Sequence, residues 1–175
     1  MSYPRIPTDE EKRLIAEAVF RKPADQVSWA GVWMLTEYVI DNPFQYNCMG
    51  WSVLLREVIS IPDRLDNLTY LYGHAIDRLG ASADYVPATP NRVIQAWGVS
   101  NTEILHVTRY TSKAELQANA DTFDLNLDFE APAARGFPDQ TWSSKVGIGT
   151  ALIAHPENWL QGSIFPNLEQ TYQQQ

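Results

Sequence analysis

Cysteine is almost missing from this chain: Cys48 stands alone, so no disulfide can close within it and a small disulfide-stapled fold is excluded. Long apolar runs are missing too. The longest, Ala30 to Leu35, gives way to Thr36 and Glu37, far short of the ~20 residues a membrane-spanning helix requires. Basic charge is scarce, with thirteen Lys and Arg against twenty-one Asp and Glu, a formal net charge of −8. No basic face is written anywhere, so sequence-independent binding to a nucleic-acid backbone is disfavoured. Charge of either sign is thin at 19%, below the ~25% of ordinary soluble domains, and uncharged polar residues take its place. Met1 leads into charged residues rather than an apolar signal core. With the lone cysteine, this suggests a soluble chain of a reducing compartment, the cytoplasm, or a virion if the source is viral.

What is present suits a packed fold. The hydrophobic content is 45% and the aromatic content 11% over 175 residues, enough for one domain that buries roughly 70% of its unfolded surface. Residues 1–7 read as an extended arm, with Pro4 and Pro7 restricting its backbone. Thr8 and Glu11 make a capping box, after which Leu14, Ile15, Ala18 and Val19 fall at helical spacing and Pro23 stops the run. Asp25 is placed to cap a second helix through Val27, Ala30, Met34 and Tyr38. The run from Trp51 to Ile61 is apolar apart from Arg56 and Glu57 and is read as helix. Pro62 opens a further helix carrying Leu65, Leu68, Tyr72, Ala75 and Leu79 to Gly80, and Thr89 and Pro90 open a short one ending at Gly98.

Beyond residue 99 the period changes to two. Ile104, His106, Thr108 and Tyr110 alternate with Leu105, Val107 and Arg109, and Phe123, Leu125, Leu127 and Phe129 alternate with Asp124, Asn126, Asp128 and Glu130, which predicts two strands. Ser112 and Glu115 cap a short helix between them, and Val146 to Ala154 can form a third strand. The expected fold is therefore α+β: a helical N-terminal half of four to five helices, followed by a small, mostly antiparallel sheet with one short helix. The expected organisation is an arm at 1–7, a helical part at 8–98, a β-rich part at 99–155 and a tail at 156–175, with 8–155 as one compact domain.

No motif in the chain specifies a chemistry. Gly50-Trp51-Ser52 imitates a nucleophile elbow but has Leu54 where the second glycine belongs. His74, His106 and His155 lie on three separate elements, and no pair has the spacing that lets a helix hold a metal. Asp124, Asn126 and Asp128 imitate a calcium loop, but Phe129 and Arg135 occupy the glycine and glutamate positions. Gly147 and Gly149 lack the third glycine of a dinucleotide fingerprint, with Leu152 in its place. No metal and no cofactor is expected. His74 and Asp77, three apart on one helix, are the best placed acid–base pair, against the simpler account of a surface hydrogen bond.

The remaining signals concern contact rather than catalysis. Asp124, Asp128 and Glu130 project from one face of an acid-rich segment, which suits either a solvated surface or a dock for a basic partner. Tyr3 and Ile6 in the arm, and Trp142, Trp159, Phe165 and Tyr172 in weakly patterned segments, are aromatic or apolar anchors of the type found at interfaces. The expectation is a non-enzymatic structural or adaptor subunit, a homo-oligomer within a larger symmetric assembly. Its most concrete form is a bacteriophage component of the head-to-tail or tail region. The alternatives are a small cytoplasmic enzyme using His74 and Asp77, and an acidic inhibitor or immunity-type protein.

Overall fold

The computed structural model describes residues 2–38, 45–75, 85–87, 93–146 and 151–174. It divides into two compact units, each assembled from distant stretches of sequence: residues 1–44 with 111–159, and 45–110 with 160–175. The helical N-terminal half is not there. Four α-helices occur among the described residues, α1 (Asp9–Ile15), α2 (Cys48–Ser52), α3 (Leu65–Tyr70) and α4 (Lys113–Ala118). All are short, so the α+β reading is corrected to antiparallel sheet with a few short helices.

In the first unit α1 begins as its sequence dictates. The Thr8 hydroxyl accepts the Glu11 N–H at 3.1 Å and the Glu11 carboxylate accepts the Thr8 N–H at 2.9 Å, which satisfies two backbone donors that helix geometry leaves unpaired. A wider π-type turn, Ala16–Phe20, continues α1 and ends at Arg21 in the left-handed region. The helix expected from Asp25 to a stop at Asp41-Asn42-Pro43 is instead, as far as Tyr38, a 3₁₀ turn, Ala24–Gln26, followed by the two-residue strand β1 (Trp33–Met34), and its expected end lies outside the described residues. Val32, Trp33, Met34 and Leu35 are all buried. A stretch buried on both faces loses the alternation that announces a strand.

Two further strands of this unit, β5 (Gln140–Lys145) and β6 (Leu152–His155), pair antiparallel, with Trp142 opposite His155 and Ser144 opposite Ile153. On its other side β6 pairs with β1, Met34 opposite Ile153. The arm closes this edge. Arg5 and Met34 exchange backbone hydrogen bonds of 3.2 and 2.7 Å, and Tyr3 bonds Asn126 and Asp128 at 2.8 and 2.7 Å. Arg5 also forms a two-pronged ion pair with Glu11, at 2.6 and 3.0 Å. Burial pushes the Glu11 carboxyl up, but the Arg5 guanidinium and the Thr8 N–H outweigh it and hold the group below its usual value. The segment 123–130 keeps the predicted alternation of buried and exposed side chains without becoming a strand; its one ladder contact is the bridge from Leu127 to Tyr3.

The second unit is built on four antiparallel strands in the spatial order β4 (Glu103–Ser112), β3 (Ile94–Ser100), β7 (Asn167–Gln174) and β2 (Tyr85–Pro87), with the last two residues of β4 falling past the unit boundary. The predicted strand at 104–110 is present. The short helix expected to end at Gly98 is β3, and its cap at Thr89 and Pro90 lies outside the described residues. Of the helix expected across Trp51–Ile61, only the end of α2 is helical. The helix expected from Pro62 begins later, after Arg64, and continues past α3 as a π-type turn, Leu71–Ala75. The C-terminal tail, expected to lack regular structure, supplies β7 between β3 and β2.

The core of this unit lies on one face of its sheet. There Met49 and Val53 from the α2 region and Leu68 and Tyr72 from α3 and its extension pack on Ile94, Ala96, Ile104, Val107 and Tyr172. A bulge in β3 and β4 makes Gly98 obligatory, since a Cβ there would stand 2.1 Å from the Glu103 carbonyl oxygen.

Candidate functional site

His74, the sequence-level candidate for a general base, is exposed at the end of the α3 extension. Its Nδ1–H donates to the Tyr70 carbonyl at 3.1 Å and its ring stacks on Tyr70 with centroids 4.3 Å apart. Asp77 lies outside the described residues, as do Gly147 and Gly149. Cys48 is buried and forms no disulfide. Among the described residues, no group of three His, Cys, Asp or Glu side chains converges on a metal position.

Four of the proposed interface anchors are instead packed inside their own units. Trp142 is buried on β5. Trp159 donates its indole N–H to the Ser28 carbonyl at 2.7 Å and meets Phe20 edge-on at 5.0 Å, so it pins the chain around residue 28 to the first unit. Phe165 stacks on His106 in the second unit, and Tyr172 packs on Tyr72 while its hydroxyl bonds Thr69 at 2.8 Å. Burial drives the Tyr172 phenol up to about 12, with the Thr69 bond opposing. Tyr3 is half-buried and tied down by its backbone, whereas Ile6 is 63% exposed. Asp124, Asp128 and Glu130 all face solvent, and the Asp128 carboxylate accepts the Glu130 N–H at 3.0 Å.

Two polar clusters escaped the sequence reading because their members are far apart in the chain. In the first unit Ser144 Oγ lies 3.0 Å from His155 Nε2, and His155 Nδ1–H donates to the Pro156 carbonyl at 2.8 Å. That is the arrangement of a nucleophile and its base, with a carbonyl orienting the imidazole. Both side chains are completely buried, so the dyad is sealed from any substrate. In the second unit the buried Arg109 donates to the Ser52 carbonyl at 2.7 Å and to the Tyr85 hydroxyl at 3.3 Å, and Ser52 Oγ lies 3.1 Å from the Tyr72 hydroxyl. Burial raises the Tyr72 phenol well above its ordinary value, although the Ser52 bond works the other way. These bonds cross from α2 to β4 and β2 and fix the elements to one another.

The accessible feature with functional content is apolar. Leu105, Val99 and Leu168 are 43%, 48% and 41% exposed, well above the level of core residues. They come from three strands, yet the register gathers them around Gly98: Leu168 opposes Trp97, Asn167 opposes Gly98, and Leu105 is the extra residue of the bulge between Ile104 and His106. The Asn167 side-chain amide donates to the Val99 carbonyl at 3.2 Å, which holds β7 against this end of β3. Alternation alone could not have found this patch, because the bulge turns Leu105 out of the pattern that its neighbours follow.

A shallow groove of about 390 Å³ in the same unit is lined by Arg64, Leu65, Asp66, Thr69, Asn101 and Thr102. Its one cation, Arg64, is engaged by Asp66 at 3.3 Å. No helix among the described residues is long and apolar enough to cross a membrane. No protein-family model matches the chain, and neither a curated protein nor a solved structure is similar to it.

Proposed function

We propose that the chain acts by binding other protein subunits, as a structural or adaptor subunit repeated within a larger assembly. The observation that carries this reading is the apolar end of the second unit's sheet, where Val99, Leu105 and Leu168 stand exposed although Ile94, Trp97, Ile104, Val107 and Tyr172 of the same three strands are buried. Apolar side chains gathered at one place on a surface gain most by being covered, whereas isolated ones need no explanation. The net charge of −8 acts against close approach of copies, so contact between them has to be made through an uncharged patch of this kind. The arm is bonded to its own unit and the tail is a strand, so the reading is carried at the level of an assembly subunit.

The double variant Leu105→Asp, Leu168→Asp tests it. Both positions are exposed in the single chain, so far-UV circular dichroism should be unchanged. Covering two leucines contributes at least about 2 kcal/mol to an interface, and losing it weakens self-association roughly 30-fold. Sedimentation velocity at matched concentrations should show the parent chain as a multimer and the double variant as a monomer. A parent that sediments as a monomer throughout, or a variant that still assembles, ends the proposal.

A further inference from the structure

The second unit's sheet has a second face, opposite the Ile94, Ala96 and Val107 core. On it lie Gln95 and Trp97 of β3 and His106 and Thr108 of β4. The register sets Gln95 against Thr108 and Trp97 against His106, so the four share one side of the two strands. They are polar or carry a polar atom, and yet none is more than 2% exposed. Phe165 covers His106 at 4.4 Å between ring centroids, and Leu168 stands opposite Trp97.

Trp97 Nε1 and Thr108 Oγ1 are fully buried atoms without a hydrogen-bond partner among the described residues. An indole N–H can only donate, and a hydroxyl both donates and accepts. Each group surrendered its hydration on folding, and leaving either unmatched costs more than an ordinary hydrogen bond returns. Trp97 and Thr108 are diagonal neighbours across the strand pair, a relation that places Cα atoms roughly 7–8 Å apart. No direct bond joins the two side chains, and a single oxygen between them would satisfy both.

We propose that this face is a closed binding site for an oxygen ligand, which accepts the Trp97 indole N–H and bonds the Thr108 hydroxyl. The oxygen belongs either to an ordered water or to a small carbonyl or carboxylate compound; both present the same chemistry to the two side chains. Gln95 and His106 flank the site and keep its walls polar. The site does not rest on the assembly reading, although Leu168, which stands opposite Trp97, also belongs to the apolar patch.

Proton–nitrogen correlation spectra of the full chain resolve one indole resonance for each tryptophan, with that of Trp97 assigned by Trp97→Phe or by its contacts to the His106 ring. The site requires a downfield, hydrogen-bonded indole proton. Cross-relaxation to bulk-exchanging water identifies solvent as the occupant, and its absence together with added mass in native mass spectrometry identifies a small compound. Thr108→Val, which keeps the shape and removes the hydroxyl, should move that resonance upfield and lower the melting temperature by about 3 °C or more, whereas Thr108→Ser should do neither. An upfield indole proton in the parent chain, or a Thr108→Val variant as stable as the parent, overturns the proposal, since a dry unmatched hydroxyl is no loss.

Discussion

A chain ending at Phe165 should lose the cooperative unfolding of its second unit. The residues removed are β7, which is hydrogen-bonded on both sides: Ile94 and Pro87 both face Tyr172. Without it β2 has no partner in the unit and one side of β3 becomes an open edge. The deletion also removes Tyr172, which is completely buried against Tyr72 with ring centroids 4.9 Å apart. Truncating a buried aromatic side chain alone costs about 3–5 kcal/mol, a large part of the 5–15 kcal/mol that holds a typical domain together. Near-ultraviolet circular dichroism and urea denaturation should show a broad, early transition for the shortened chain. Tyr172→Phe, which loses only the bond to Thr69, should cost about 1 kcal/mol. Native spectra for the truncated chain would mean that β7 is an ornament on a sheet that is complete without it.

That strand also shows why the fold was only partly legible in the sequence. Asn167–Gln174 reads Asn-Leu-Glu-Gln-Thr-Tyr-Gln-Gln, with Tyr172 as its one deeply buried apolar side chain. Its pairing rests on backbone bonds, which every residue type supplies, so composition suggested a loose tail. At 25–38 the reverse holds, because apolar residues on all sides imitate a central helix. Strands buried on both faces and helices share that composition, and length could not arbitrate because β1 is only two residues long. At β3, Gly98 served as a helix-terminal signal in the sequence and as a bulge glycine in the fold. Local signals that need no distant partner are legible: the Thr8 and Glu11 capping box and the Ser112 cap of α4. The strand at β4 is legible too, but not its alternation, since residues 106–109 are buried in succession.

The candidate sites follow the same division. Exposure of Asp124, Asp128 and Glu130 could be read from their alternation with Phe123, Leu125, Leu127 and Phe129, a local pattern that persists although the segment is not a strand. The Ser144 and His155 pair and the patch around Gly98 join residues brought together by strand register, and the Arg109 bonds join β4 to α2 and, across two intervening strands, to β2. A one-residue change of register would separate all of them, so no spacing rule could have pointed to them.

His155 should make the first unit sensitive to acid well above the pH at which carboxylates protonate. The Pro156 carbonyl can only accept, so Nδ1 carries the proton of the neutral ring and Nε2 accepts from the Ser144 hydroxyl. A second ring proton would place a charge in a completely buried site stacked on Trp159. Burial accordingly drives the pKa down to about 4, with the Pro156 bond opposing. The unfolded chain has the ordinary value of about 6.5, so between these values it binds more protons than the folded one, and stability falls as the pH falls. The contribution is fully present above about pH 6.5 and its loss by pH 4 amounts to roughly 3 kcal/mol. Urea denaturation at pH 7, 5.5 and 4.5 should show this slope in the parent chain and a flatter one in His155→Gln, which retains His74 and His106. If the two slopes coincide, or if the His155 ring titrates near 6.5 in the folded protein, the imidazole is not held neutral by burial and the acid sensitivity must come from elsewhere.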